Sequence, residues 1–553
     1  MKRTIRVLLL FLCLCLFGSC SGERGTDNTE TTQQDLPETL YIVENGKSDY
    51  ILVIPQGADM ELQTIVSSFK NTVRDRTGVS LRLLTDATSR KADEKEILIG
   101  KTNREASVQH IADLKCNDYS IARAGNTLVI AGGSSHAIEI ALDQLIASCL
   151  SNTSMSVDTK DLVDYRASYP ISSLKLNGAG IETYRIIYPD GEVYLKQAAE
   201  DLAGDIAEKT GVLLSVVSDT TAKKEGVREI LIGNTSHASV SLPLTDSAAY
   251  RWNGTDSLQI IGNTVYHTML GAESFFADIP QSGDVAFSFP AETVRAISDK
   301  EPYKVMSFNI LYKDADNRVS VVKSMIFDEL PDSFGLQECT QRWLTLLLPA
   351  LEEKYACFSG EISTSGQFYL PVFYRKDRLE LVEGKTLWLS DTPTQHSKLY
   401  DSDQYRTVTY AVLRDKETGE IYTHYNTHLD IVRSAAEGQL KILQKITAES
   451  KYPYVVTGDF NIDMSWNLYN NMKKTWRDAR EVAEKTTDAL TEIKSRIDYC
   501  MINEKIVAER FAVVNNPYVL LQQWEAGQTN DQEYYLSDHY PVFVTFHIYD
   551  PKS

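Results

Sequence analysis

VVTGDFNID (455–463) is a hydrophobic run that closes on a polar tip, and it is one of six such segments in the last part of this chain. The others are SFN (307–309), QE (337–338), NTHLD (426–430), RIDY (496–499) and SDH (537–539). Short apolar runs of this length read as buried strands, and a polar tip puts functional groups at strand ends. In VVTGDFNID, Asp459 and Asn461 are two apart, so an extended chain would set both on the same side. YKVMSFNIL (303–311) places Asn309 inside an otherwise apolar strand, and a helical pattern over 319–330 leads into DSFGLQE (332–338), a second buried strand ending on Glu338. YTHYNTHLD (422–430) contributes His428, RIDYCMIN (496–503) contributes Asp498, and LSDHYPVFVTF (536–546) contributes Asp538 and His539 before a final strand. Carboxylates at strand ends are good oxygen ligands for magnesium, which binds one or two of them and keeps its remaining positions for water and substrate oxygens. The collected set is the inventory of a divalent-metal phosphoesterase.

Outward from these motifs, the chain runs to 553 residues, more than one hydrophobic core normally holds, and 43% hydrophobic content supports globular folding. The formal charge of -20 argues against a broad basic surface for nucleic acid, because non-specific affinity comes from Lys and Arg neutralising phosphates. The motif-bearing part also carries more acids than bases. Nucleic acid remains open as a substrate and is not favoured.

The N-terminus reads MKRTIR, then VLLLFLCLCLF, then GSC: a basic start, a short apolar run and small residues before a cysteine. This is an export signal. LFGSC resembles the lipobox of bacterial lipoproteins, which implies that Cys20 becomes the lipidated first residue of an envelope-anchored protein. SGERGTDNTETTQQDLP (21–37) has almost nothing that could enter a core and reads as a flexible tether. Cys13 and Cys15 go with the signal, leaving Cys116, Cys149, Cys339, Cys357 and Cys500. An odd remainder without CxxC spacing is neither a disulfide framework nor a zinc site, so buried thiols are expected.

Residues 50–100 and 184–233 repeat one another. In both copies a run such as YILVIPQG or TYRIIYPDG is followed by a helical pattern, TGV, a TD or SD pair and EILIG; NTLVIAGG (126–133) then matches DSLQIIGN (256–263). Each copy reads strand, helix, strand, strand, strand, helix. Tyr194, Ala198, Leu202 and Ile206 recur at helical spacing, and Gly78 and Gly211 are placed to close the helices in a left-handed conformation. These halves resemble α/β accessory domains of polysaccharide-degrading enzymes, which implies a non-catalytic role, with carbohydrate binding by residues 39–298 as an expectation. The histidines there (His110, His136, His237 and His267) are solitary in sequence and read as surface or satisfied core residues.

The six motifs together resemble the endonuclease/exonuclease/phosphatase superfamily over about 303–548, and YRKDRLEL (374–381) with TLWLSDTP (386–393) resembles its bacterial exported members. The resemblance implies an α/β fold: a four-layer α/β sandwich of deoxyribonuclease type, two packed sheets with helices outside, preceded by two small repeated α/β domains. The expected division is 1–20 signal, 21–38 linker, 39–165 and 166–298 accessory repeats, and 300–550 catalytic domain. By position, Glu338 would be the principal metal ligand, with Asn309 beside it and Asp538 near the metal or a second one. The metal would be magnesium, with manganese or calcium as alternatives. Asp459 and Asn461 would orient or deprotonate the attacking water, His539 on Asp498 would stabilise the transition state or act as base, and His428 would bind the phosphate or protonate the leaving oxygen. Arg375 and Arg406 are candidate phosphate contacts. The resemblance also implies a glutamate buttressing His428, but SGQFYLPVFYR (365–375) has Gln367 and Phe368 in that neighbourhood, which leaves Glu361 as a replacement. The expected activity is metal-assisted hydrolysis of a phosphodiester or phosphomonoester; a nuclease on extracellular DNA or RNA and a weakly active envelope binding protein are the competing readings. The aromatic-rich stretch 515–536, beside SDH, would set specificity.

Overall fold

The structure is a computed structural model that describes residues 39–90, 94–238, 247–252, 257–289, 292–296, 300–360, 368–487, 496–514 and 537–550. The expected export signal with Cys20, the expected tether, Gln367, Glu361 and the aromatic-rich stretch 515–536 lie outside the described residues. Two compact units divide the chain, one reaching to Ala296 and the other built from the residues that follow. Among the described residues no helix is long and apolar enough to cross a membrane.

In the N-terminal unit each sequence repeat becomes a six-stranded sheet, and the two sheets have the same strand order. In the first, Tyr50–Ile54, Arg82–Thr85, Lys95–Ile99 and Thr127–Gly132 run parallel, and Tyr119–Ala124 pairs antiparallel at the edge of this group. The second repeats this with Tyr184–Tyr188, Val216–Ser218, Arg228–Ile232, Ser257–Ile261 and the antiparallel Ser247–Trp252. With the edge strands Val163–Tyr165 and Glu292–Ala296, each copy has two more strands than the periodicity indicates, both joined by antiparallel pairing, and the first copy also has a short helix, Glu105–Ile111. Met60–Thr77 and Val193–Thr210 are the long helices, and each closes on a glycine with positive φ, Gly78 at 76° and Gly211 at 77°. Tyr194, Ala198, Leu202 and Ile206 are buried, as their spacing requires.

Open parallel sheets of this kind bind ligands where the strand order reverses, at the carboxyl ends of the strands. In both copies an aspartate there ties neighbouring segments of the chain together. Asp86 accepts from the backbone N–H of Gln56 and Asn103, both at 2.8 Å. Asp219 accepts from Asp190 N at 3.0 Å and Ser236 N at 2.7 Å in the second copy. The second residue of each matching strand is likewise a buried glutamate held by a base: Glu96 by Arg104, and Glu229 by Arg185 and His237. His237 is therefore a satisfied core histidine.

The C-terminal unit has two sheets. The seven-stranded sheet has the order Tyr355–Phe358, Val372–Arg375, Ser333–Gln337, Tyr303–Asn309, Val542–Ile548, Ile506–Val513, Lys485–Thr487. The six-stranded sheet has the order Leu379–Trp388, Thr407–Asp415, Ile421–His428, Tyr454–Asp459, Asp498–Ile502, Arg477–Asp478. The sheets face one another, and helices cover their outer faces. Met306, Phe308, Phe334 and Leu336 pack on Val322, Met325, Trp343 and Leu347 from Ala315–Glu329 and Gln341–Leu351. Val408, Tyr425 and Val456 pack on Leu440 and Leu443 from Arg433–Ala448. This is the four-layer α/β sandwich; the first of its helices starts four residues earlier than the periodicity suggests.

Between the sheets runs a polar seam that alternation alone does not reveal. His424 bridges Ser333 Oγ and Thr457 Oγ1, both at 2.8 Å, and Ser333 Oγ also meets the Tyr422 hydroxyl at 3.0 Å. Gln337 donates to Ser307 Oγ at 3.2 Å and Asn426 Oδ1 at 2.7 Å, while Asn426 donates to the carbonyls of Leu336 and Pro371. Gly335 leaves room for that amide, since a Cβ there would sit 2.4 Å from Asn426 Cγ. Apart from Gln337 Oε1, which has no partner among the described residues, these polar groups satisfy one another, which is the condition for burying them. Burial with only hydroxyl partners pushes the His424 ring down to about 3, so it stays neutral. Its unfolded value is about 6.5, so its contribution is complete above that pH and lost as pH falls toward 3, by about 1.4 kcal/mol per pH unit. Urea unfolding should show wild type losing stability between about pH 6.5 and pH 4.5, and His424→Gln losing less over the same range. Equal losses would remove His424 as the cause.

The five cysteines among the described residues are all free; four are buried and Cys357 is half-buried.

Candidate active site

Three neighbouring strands of the six-stranded sheet end in one row. Strand register pairs His428 with Asp459 and Asp459 with Asp498. The facing sheet supplies a second row, in which Asn309 pairs with Gln337 and Glu338 follows directly. The strand Val542–Ile548 pairs antiparallel with Tyr303–Asn309, Ser307 opposite Val542, and this brings Ser537, Asp538 and His539 to the same edge. Residues scattered over more than 200 positions of sequence thereby meet at one end of the sandwich.

Asn309 is fully buried and joins the rows: its Nδ2 donates to Glu338 Oε1 at 3.3 Å and to Asp459 Oδ2 at 3.0 Å. Glu338 Oε2 accepts from Tyr312 N at 3.2 Å. That loop is pinned by Arg318, which donates to the carbonyls of Ile310, Leu311 and Lys313, and by Trp343 Nε1 on Leu311 O at 2.9 Å. Ser537 Oγ donates to Asn309 O at 2.7 Å and accepts from His539 N at 3.2 Å.

His539 Nδ1 lies 2.7 Å from Asp498 Oδ2, and its Nε2 lies 3.7 Å from Asp459 Oδ2. Burial would lower this ring, but the hydrogen bond and charge of Asp498, with Asp459 and Asp538 close by, hold it up at about 9. Asp498 and Asp459 are both pushed upward, first by burial and then by neighbouring carboxylate charge. With three carboxylates around one ring, we assign the proton of the His539–Asp498 pair to the imidazole. His428 is buried, with Nε2 3.5 Å from Asp459 Oδ2. Burial, then Arg406 and His539, push it well down, so it is neutral. Its Nδ1 is buried with no hydrogen-bond partner among the described residues.

Backbone strain concentrates here. Leu311, Glu338 and Asn461 all have φ between 51° and 56°, a left-handed conformation that costs a side-chain-bearing residue about 1 kcal/mol or more. At Asn461 this overturns the expectation of an extended chain. After Asp459 the backbone turns, Asn461 N donates to Asp459 Oδ1 at 3.0 Å, and the side-chain Nδ2 donates to Leu429 O at 3.0 Å.

The two arginines fare differently. Arg375 is not brought to the site: it lies beside Asp332, at the opposite end of the strand from Glu338, and is ion-paired with Asp332 and Asp377. Arg406 is at the site, where its charge acts on His428, Asp459 and Glu338. A knot missed in the sequence holds its loop. Asp430, the last residue of NTHLD, accepts from Ser402 Oγ at 2.6 Å and Gln404 N at 3.2 Å, while its N–H donates to Gln439. A carboxylate two residues beyond a strand-end histidine was the available signal.

The donors present fit a divalent cation. Among the described residues Glu338 receives two N–H contacts and has no cationic side chain within ion-pair distance, so its oxygens are open to a cation. Asp498 Oδ1 is buried without a partner. Donor atoms of Asp459, Asp498 and His539 lie within 4.8 Å of one another, but the His539 nitrogen facing Asp498 is already engaged, so the hard oxygen set around Glu338 and Asn309 is the better cation seat. Asp538 is exposed beside it.

Several solved structures are similar to this unit. An endonuclease/exonuclease/phosphatase family protein from Bacteroides thetaiotaomicron is 24% identical, with 45% of this chain and 100% of that chain covered and a TM-score of 0.41. A Bacteroides vulgatus endonuclease/exonuclease/phosphatase is 25% identical over 45% of this chain and 100% of that one, TM-score 0.39. A mannosyl-6-phosphatase from Bacteroides thetaiotaomicron VPI-5482 is 24% identical over 44% and 100%, TM-score 0.40. No curated protein matches the chain. Residues 306–539, which hold every member of both rows, match the model described as the Endonuclease/Exonuclease/phosphatase family, and this segment is a domain of that family.

Proposed function

We propose that the C-terminal unit is a divalent-metal-dependent phosphoesterase, which hydrolyses its substrate by in-line attack of water. The observation that carries this reading is the pairing of a Glu338–Asn309–Asp459 cluster with a charged His539–Asp498 pair at one sheet edge. Glu338, Asn309 and Asp538 would hold the cation, magnesium in preference to manganese or calcium; when bound, it offsets charge developing on the phosphoryl oxygens.

The residues of the chain do the rest. Asp459, whose proton affinity is raised by burial, accepts a proton from the attacking water, with Asn461 fixing its second oxygen. His539, cationic on Asp498, donates through Nε2 to the phosphoryl group as its charge grows. His428 and Arg406 contact its remaining oxygens. The balance is one water consumed, one phosphorus–oxygen bond broken, and one alcohol and one phosphate product released.

We further propose that the chain is exported and held at a bacterial cell envelope through Cys20, and that its N-terminal unit is an accessory, non-catalytic part. The structural engagement of Asp86, Asp219 and His237 supports the non-catalytic part of this reading, and carbohydrate binding is the role proposed for that unit.

The test uses activated phosphodiester and phosphomonoester substrates with magnesium and with EDTA. Turnover should disappear with EDTA and fall by about 100-fold or more in Glu338→Ala and in His539→Ala. Absence of metal-dependent turnover on every diester and monoester tried would sink the reading.

A further inference from the structure

Arginines in the C-terminal unit are, as a rule, satisfied. Arg342, Arg375, Arg378, Arg414 and Arg496 are ion-paired, and Arg318 donates to three carbonyls. Arg406 departs from this. Its Nε is buried with no hydrogen-bond partner among the described residues, as is that of Arg496, but unlike Arg496 it has no carboxylate within ion-pair distance there; Asp430, Asp459 and Glu338 act on it from farther off. A half-buried guanidinium that feels carboxylates only from beyond contact distance keeps its donors open for an anion, provided the surrounding structure fixes it. The Asp430 knot and the backbone bond from Leu389 N to Arg406 O at 2.8 Å supply that fixing. Beside it, the buried His428 Nδ1 also lacks a partner. The Arg406 guanidinium, with no ion pair among the described residues, therefore lies beside the His428 ring whose Nε2 faces Asp459.

We propose that Arg406 is built to receive the unesterified, doubly charged end of a phosphomonoester, so that the substrate class is a terminal phosphate on a neutral alcohol, sugars included, in preference to an internal phosphodiester. This rests on the phosphoesterase reading above. A diester presents two non-bridging oxygens sharing one charge. A monoester above its second pKa, about 6, presents three oxygens and close to two charges. The unpaired guanidinium gains most from that second charge, and its planar fork can hold two oxygens of one phosphoryl group. Water attacks phosphorus, the bond from phosphorus to the alcohol oxygen breaks, the alcohol leaves with a proton, and inorganic phosphate remains on Arg406 until it departs.

The test compares full-length wild type, Arg406→Gln and Arg406→Lys, with magnesium present, by calorimetric titration with methyl phosphate and dimethyl phosphate. Turnover of phenyl phosphate and of methyl phenyl phosphate is measured in parallel. Wild type should bind methyl phosphate at least about tenfold more tightly than dimethyl phosphate at about pH 7.5, and the preference should shrink near pH 5, where the monoester loses its second charge. Arg406→Gln should abolish the preference and lower kcat/KM for phenyl phosphate by about 100-fold while changing the diester by less than about tenfold; Arg406→Lys should restore part of both. Equal binding of the two phosphates by wild type, or an equal fall for both substrates in Arg406→Gln, overturns the proposal. If Arg406→Gln does not fold, Arg406→Lys and the wild-type pH comparison decide it. Diester turnover exceeding monoester turnover removes this inference alone, whereas no turnover of either removes the phosphoesterase reading itself.

Discussion

Asp498→Asn is expected to lower kcat by about 10²–10⁴-fold with little change in KM. The carboxylate accepts from His539 Nδ1 at 2.7 Å, which directs Nε2 toward Asp459 and holds the ring protonated. An asparagine of the same shape offers the ring an amide in place of a charge. The imidazolium loses its counter-ion, and the tautomer is no longer dictated. Folding should survive, because Asp498 carries a charge that burial disfavours and its Oδ1 already lacks a partner. Steady-state kinetics with thermal unfolding separates the two effects. A kcat within about fivefold of wild type, in a protein of unchanged stability, would take the pair out of the chemistry.

Gly458→Ala is expected to produce a large loss of stability from a single methyl group. Gly458 pairs with Thr427 on one side and Tyr499 on the other, with φ of 156°. A Cβ there would lie 2.1 Å from the Thr427 carbonyl oxygen, a backbone atom that cannot rotate away. Relief requires the two strands to part immediately before His428 and Asp459, at a cost of about 3 kcal/mol or more. The thermal midpoint of the C-terminal unit should fall by about 6–12 °C, and turnover should fall with it at temperatures where the fold persists. A midpoint within about 2 °C of wild type would show that the strands can separate without penalty.

Much of this arrangement was legible because each functional group ends an apolar run. Asn309, Glu338, His428, Asp459, Asp498 and His539 sit at strand ends, and strand ends on one side of a sheet are brought together by the layer architecture itself. Legibility failed where local and non-local effects compete. Period-two reasoning kept Asn461 in line with Asp459, but the Asp459 side chain captures the Asn461 N–H and bends the chain. Arg375 lies in a motif-rich stretch, yet its position depends on which end of an antiparallel strand it occupies, and that follows from pairing with Ser333–Gln337. The antiparallel strands Tyr119–Ala124 and Ser247–Trp252 have small or polar residues at several positions, so hydrophobic runs alone passed over them. The seam through Ser307, Ser333, Gln337, His424, Asn426 and Thr457 is polar in sequence and buried in the fold, because each group's partner comes from another strand.

The row formed by His428, Asp459 and Asp498 has a consequence for how such a protein can change. The three residues are in-register neighbours across hydrogen-bonded strands, so their separation is set by the spacing between strands and not by the segments that join them. Insertions and deletions in those joining segments can reshape what approaches the site while the distances within the row stay as they are. New specificities are therefore accessible by loop exchange at no cost to the reaction centre, and a grafted segment following Asp430 or Asn461 is the place to introduce one.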